Sequence, residues 1–238
     1  MIISFKYKFI FIKNYKVAGS SIETFLYNYL TLKDIAVGTV DFKGINNNYK
    51  FEDPSLFQHF EPSVANKQKN KAFFAHMPAW LLKKRLETFE NILNCEKNIF
   101  SKFYKFAVIR NPFDLIVSDY HWNNDPSNPL RNNHTFDQII REIVEQKFDT
   151  FRLFNLNRIC SFNHKKILVD RVIKFENLNE ELSEVFNYLS IPFNGKLEIF
   201  KKRSVNRKHY RKYYQSNHHK KVVMNHFSQE LDKFGYSF

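Results

Sequence analysis

Four short apolar runs punctuate the chain, and between them hydrophobic residues recur at helical spacing. The first run, Phe9-Ile10-Phe11-Ile12, is aromatic and β-branched and too short for a helix, so it predicts a buried strand. Ile22, Phe25, Leu26, Tyr29 and Leu30 then fall on one face of a helix. Ser20 with Glu23 forms a capping-box pattern at the start of that helix. Ala72-Phe73-Phe74-Ala75 is the second run and ends at His76; Pro78, Leu81, Leu82, Leu86 and Phe89 predict a helix behind it. Phe106-Ala107-Val108-Ile109, the third, ends at Arg110. Asn111 and Pro112 read as the N-cap and first residue of a helix through Leu115, Ile116, Ser118, Asp119 and Tyr120. Phe136, Ile139, Ile140, Ile143 and Val144 mark another helix. The fourth run, Val172-Ile173-Lys174-Phe175, leads through Glu176-Asn177 to a helix bearing Leu182, Val185, Phe186 and Leu189.

Apolar strands alternating with amphipathic helices predict an α/β domain: a P-loop-like three-layer sandwich with a central, mainly parallel sheet flanked by helices. With 5 Gly and 7 Pro there is no Gly/Pro-rich linker, and no internal repeat, so residues 1–238 read as one domain. The polar stretches 41–70 and 123–134 read as loops on it. No apolar run approaches the roughly 18–20 residues of a membrane span. The opening run, behind Lys6 and Lys8, is about half a signal-peptide core and lacks a small-residue cleavage site, so a cytoplasmic protein is the expectation.

Composition narrows the classes. A hydrophobic content of 43% with 27 Phe excludes a disordered or fibrous chain. The net charge of +13, from 37 basic and 24 acidic residues, favours an anionic partner. It does not choose among a nucleotide, an acidic polymer, a nucleic acid and a membrane surface. Cys95 and Cys160 are far apart and show neither a disulfide framework nor zinc-site spacing. Cys160, near Arg158, reads as a buried thiol or a reactive one.

Ligands of parallel sheets bind at the carboxyl ends of the strands. Lys16, His76 and Arg110 each follow such an end. Lys16-Val17-Ala18-Gly19-Ser20-Ser21 offers a charge, a glycine for close approach, two hydroxyls and the N–H groups of a helix start, which suits a phosphate or a sulfate. It lacks the first glycine of a Walker motif, and a surface lysine in a strand–helix turn is the competing reading. Arg110 can fork onto a phosphate with Ser118 two turns into the next helix, or it can pair with Asp114.

Taken together, the K-x-x-G-S-S-I of Lys16–Ile22 and the I-R-N-P of Ile109–Pro112 roughly ninety residues on, with Ser118, resemble the sulfotransferases dependent on 3′-phosphoadenosine 5′-phosphosulfate (PAPS). The likeness is strongest to the carbohydrate branch that includes the heparan and chondroitin enzymes and bacterial relatives. It implies that Lys16, Val17, Ala18, Gly19, Ser20 and Ser21 hold the phosphosulfate, and that Arg110 and Ser118 hold the 3′-phosphate. Tyr15 and Val17 stand where the pattern has Pro and Thr, and Asn111 where it has Asp. Phe74-Ala75-His76-Met77 resembles the short strand whose His is the catalytic base, and Val172–Leu178 resembles the strand-Glu-x-Leu segment. Val205-Asn206-Arg207-Lys208, with Tyr213-Tyr214 and Phe234-Gly235-Tyr236, resembles the segment that covers the cofactor, which makes Asn206 and Arg207 cofactor contacts.

The implied reaction is in-line transfer of a sulfuryl group from PAPS to a carbohydrate hydroxyl, as in polysaccharide biosynthesis. His76 would be the base, Lys16 would neutralise charge on the leaving group, PAP would be the product, and no metal would be needed. His59 and His134 are rival bases, and Glu23 is expected to cap its helix. Two other functions remain: a Mg-dependent phosphotransferase, which needs an acidic metal ligand at a strand end, and a basic nucleic-acid-binding module using the Lys201–Lys212 run with its tyrosines. Neither accounts for Lys16, His76 and Arg110 at three strand ends. The acceptor and the oligomeric state are not legible.

Overall fold

The structure is a computed structural model that describes residues 1–31, 33–37, 73–92, 97–128, 133–145, 153–198 and 207–238. Strands β1 (Ile2–Ser4), β2 (Phe9–Ile12), β3 (Ile35–Ala36), β4 (Tyr104–Ile109) and β5 (Arg171–Lys174) form one sheet in the order β3-β1-β2-β4-β5 among the described residues. β2, β4 and β5 are parallel neighbours, and β1 and β3 extend the sheet antiparallel.

Side chains alternate across a strand, and here each alternation feeds a different layer. Phe9, Phe11, Phe106 and Val108 enter one core with Ile22 and Leu26 of α1 (Gly19–Tyr27) and Phe113, Ile116 and Val117 of α4 (Pro112–Asn123). That layer also takes apolar residues of α5 (Phe136–Val144), α7 (Leu178–Tyr188) and α8 (Asn217–His226). Ile10, Ile12, Ala107 and Ile109 enter the other core with Leu82 and Leu86 of α2 (Ala79–Ile92), Ile99 of α3 (Ile99–Lys102) and Leu156 and Ile159 of α6 (Asn155–Ile159). The result is the α/β sandwich expected, parallel at its centre. No helix among the described residues is long and apolar enough to cross a membrane.

Four local expectations differ. Phe73 and Phe74 are not in a strand: both rings are buried in the α2 layer, and the sheet edge beside β1 is taken by β3. The capping box at Ser20 and Glu23 does not form. The N-cap is Ala18 in the left-handed region, with no side-chain cap, because the Glu23 carboxylate turns inward to buried cations. α1 also stops at Tyr27, leaving Tyr29 and Leu30 to pack against the core from the loop that follows. At α4 the expectation holds: the Asn111 side chain accepts from the Phe113 N–H at 3.0 Å, and Pro112 occupies the first turn. The loop expected over 123–134 begins one residue late, since Asn123 closes α4; its residues 129–132, like all of 41–70, lie outside the described residues.

The short α6 is anchored by Glu230 of α9 (Ser228–Phe234), whose carboxyl accepts from the Leu156 N–H at 3.0 Å. Burial pushes this carboxyl up from 4.5 to about 8, against the opposing effect of that hydrogen bond. The folded chain therefore keeps a proton that the unfolded chain releases. Taken by itself this group lowers stability by about 4 kcal/mol as pH rises from 4.5 to about 8, while the buried Met1 amine and His76, both lowered in the fold, act in the opposite sense. The difference in urea midpoint between the native chain and Glu230→Gln should shift against the native chain as pH rises across that range; an equal slope in both would refute it.

Candidate active site

Where β2 ends, the chain turns inward before it turns up. Lys13 is 3% exposed, and its ammonium pairs with Glu23 and lies 3.4 Å from the Ser20 hydroxyl. Glu23, fully buried, also accepts from the Met1 amine at 2.6 Å. Burial outweighs that attraction and brings the amine down to about 6. Gly19 makes room for this lysine: a Cβ there would sit 2.8 Å from Lys13 Cγ. Lys16 and Ala18 take φ of 57° and 59°, left-handed conformations that cost a non-glycine residue roughly 1–2 kcal/mol each. Such strain at the mouth of a helix, whose first N–H groups have no intrahelical acceptor, is a common mark of a ligand loop. Val17, by contrast, is fully buried in the core.

His76 reaches this turn from outside the sheet. Its Nδ1 lies 3.1 Å from the Lys13 carbonyl oxygen. A carbonyl can only accept, so Nδ1 carries the proton and Nε2 carries the lone pair. The ring stacks on Tyr15 at 3.7 Å with an interplanar angle of 12°. Its pKa lies well below the ordinary histidine value, first through burial and then through Lys13, Arg158 and the Met1 amine, partly offset by the hydrogen bond to Lys13. The imidazole is therefore neutral at neutral pH.

Arg110 leaves β4 buried and heavily engaged. Its Nε donates to Asp114 at 2.7 Å, Nη2 lies 2.6 Å from the same carboxylate, and Nη1 donates to the Lys16 carbonyl at 2.8 Å. The guanidinium also covers the Phe175 ring at 4.0 Å. Arg207 pairs with the other oxygen of Asp114 and donates to its backbone carbonyl at 3.2 Å. Asp114 thus clamps two arginines that the sequence separates widely. Burial lowers both to about 10, and for Arg207 the charge of Arg110 adds to this, so both stay cationic. Glu176, at the end of β5, accepts from the Asn111 N–H at 2.8 Å and from the Tyr236 hydroxyl at 3.0 Å, tying two strand ends to the C-terminal segment.

The Lys16 ammonium sits 4.8 Å over the Trp122 ring of α4, and the neighbouring His121 meets the Tyr213 hydroxyl at 2.6 Å. Ser118 lies buried on the same helix, and Ser20 and Ser21 open α1. The structure therefore joins Lys16 to Arg110 directly, Arg110 to Arg207 through Asp114, and His76 to the turn through Lys13. Asn206, His59, Cys95 and Lys201–Arg203 lie outside the described residues. His134 is at 3.3 Å from Glu142, on the loop before α5. Cys160 is buried and its thiol is pushed up by burial, which sets aside the reactive reading.

Sequence reasoning missed Lys13, Tyr15 and Arg158 as parts of the site. Lys13 had one legible signal, a lysine continuing directly from a buried strand. No curated protein and no solved structure matches the chain. The sulfotransferase family model, however, covers residues 1–237, and the chain therefore belongs to the sulfotransferase family.

Proposed function

We propose that the protein moves a sulfuryl group from PAPS to a carbohydrate hydroxyl, with His76 as general base. The observation that carries this reading is the His76 imidazole, neutral and with Nδ1 committed to the Lys13 carbonyl, beside the strained Lys16–Ser21 turn. A base needs a lone pair on one nitrogen and an anchor on the other, and this arrangement supplies both.

The donor set suits the nucleotide. Lys16, Ser20, Ser21 and the N–H groups opening α1 would hold the 5′-phosphosulfate; Arg110, Arg207 and Ser118 would hold the 3′-phosphate. When bound, PAPS supplies an activated sulfuryl group on a bisphosphate leaving group. The rest falls to the chain. Lys16 would neutralise charge on the leaving group, and Asp114 holds the two arginines, one on each carboxylate oxygen. His76 Nε2 takes the acceptor proton. Negative charge arriving at the turn offsets the Lys13 and Arg158 cations that depress His76, so donor binding raises the basicity of His76 as the reaction requires it. A carbohydrate acceptor is supported by the likeness of the motifs to the carbohydrate branch, and an anionic one by the net charge of +13.

The test is calorimetry with adenosine 3′,5′-bisphosphate, against AMP and ATP, with and without Mg²⁺. The bisphosphate should bind at least about tenfold tighter than AMP and no better with Mg²⁺. Arg110→Lys, which keeps the charge but loses the fork, should weaken binding by about tenfold. Equal affinity for AMP, or a Mg²⁺-dependent preference for ATP, would sink the reading.

A further inference from the structure

His76 is not held by its hydrogen bond alone. Tyr15 lies flat against the imidazole at 3.7 Å, and the Arg158 guanidinium lies over the Tyr15 ring at 4.6 Å. Arg158 Nε also donates to the His76 carbonyl at 3.2 Å, so one guanidinium grips both the ring beneath it and the backbone of the base. Three layers result: guanidinium, phenol ring, imidazole. They come from three places in the chain: the turn after β2, the loop before α2, and α6.

Each contact removes a different freedom. The Lys13 carbonyl selects the tautomer, because only Nδ1–H can donate to it. It does not by itself keep the ring in place, since a single hydrogen bond lets the imidazole swing about its side-chain torsions and lose that bond, and the tautomer with it. Tyr15 does, as ring stacking at 12° leaves one orientation. Tyr15 in turn needs a second face covered, and Arg158 covers it by cation–π contact. Tyr15 stands where the resembled pattern has proline, a residue that offers no flat ring to stack.

We propose that Tyr15 and Arg158 are positioning residues for His76, a stack that holds its imidazole in one plane and one tautomer with Nε2 as the proton-accepting atom. This rests on the reading of His76 as base for its catalytic meaning, but the stack acts on the histidine whether or not sulfuryl transfer is the reaction. The charged groups acting on the ring are Lys13, Arg158 and the Met1 amine, and the titratable Tyr15 is stacked on its face. Glu230 acts at one remove, through its bond to the start of α6.

The experiment is nitrogen NMR of the His76 side chain in the full chain, with calorimetric binding of adenosine 3′,5′-bisphosphate run alongside. The native protein should show a single neutral tautomer at neutral pH, protonated on Nδ1. Tyr15→Leu should mix the tautomers, whereas Tyr15→Phe, which keeps the ring, should preserve the native signal. Arg158→Gln should raise the pH at which His76 titrates, and Arg158→Lys should restore the titration but not the single tautomer. Nucleotide affinity should change by less than about threefold in Tyr15→Phe and Arg158→Lys, which keep the ring and the charge. An Nε2–H tautomer in the native chain, or unchanged signals in folded Tyr15→Leu and Arg158→Gln, overturns the proposal. Failure of the native chain to bind the nucleotide overturns the sulfotransferase reading instead and leaves the NMR result standing on its own.

Discussion

His76→Asn should lower sulfuryl transfer by about 10²- to 10⁴-fold while leaving adenosine 3′,5′-bisphosphate affinity almost unchanged. Asparagine can still donate to the Lys13 carbonyl, so the turn that the histidine contacts keeps its hydrogen bond, and only the proton acceptor is lost. The measurement is the rate of PAP release with the best acceptor from a screen of neutral and uronate-bearing glycans. The native rate should also depend on pH through a histidine whose free-enzyme value lies below the ordinary one, since burial, Lys13 and Arg158 all disfavour its charged form. The kcat/KM for the donor, which reports the free enzyme, should therefore hold up below neutrality, where an unperturbed histidine would already be protonated. Undiminished transfer by His76→Asn would move the base elsewhere. A rival that the structure adds is His121, which is also lowered by burial and by Lys16 and already meets the Tyr213 hydroxyl at 2.6 Å.

Glu23→Ala should destabilise the fold by about 3–5 kcal/mol, since it strands the buried Lys13 ammonium without its counter-charge. For a chain of 238 residues that corresponds to a fall in Tm of roughly 10 °C. The loss should reach the site as well. Lys13 supplies the carbonyl that orients His76, and its stem packs against Gly19 at the head of α1. Pairing Glu23→Gln with Lys13→Met, which removes both charges and keeps the volume, should recover most of the stability, because a buried ion pair is costly to break and cheap to replace. Thermal unfolding of the three proteins decides this. A loss below about 1 kcal/mol in Glu23→Ala would mean the pair behaves as an exposed one.

These two residues show where sequence reading succeeds and where it stops. His76, Lys16 and Arg110 were legible because each follows an apolar run, and polar groups at strand ends converge wherever such runs pair in parallel. The pairing of β2 with β4 and of β4 with β5 delivers that convergence for Lys16 and Arg110. His76 arrives by another route: its run docks two phenylalanines into the α2 layer and is not in the sheet, yet the base still reaches the turn. Glu23 was read as a cap because its spacing from Ser20 is that of a capping box. Nothing local shows that Lys13 is buried ten residues earlier, and a buried cation outbids a helix terminus for a carboxylate.

The chain by itself therefore determined the α/β layering, the helix start at Asn111-Pro112 and the motifs at 16–21 and 110–118, since periodicity, capping and strand ends are properties of neighbours in sequence. Only the tertiary structure decided the partners of the charges: Asp114 between Arg110 and Arg207, Glu23 beneath Lys13, and Arg158 over Tyr15 over His76. Most of these contacts join residues distant in the chain. Which charge meets which depends on how strands pair and helices dock, and on the energetic need of each buried ion for a counter-charge or a ring within reach.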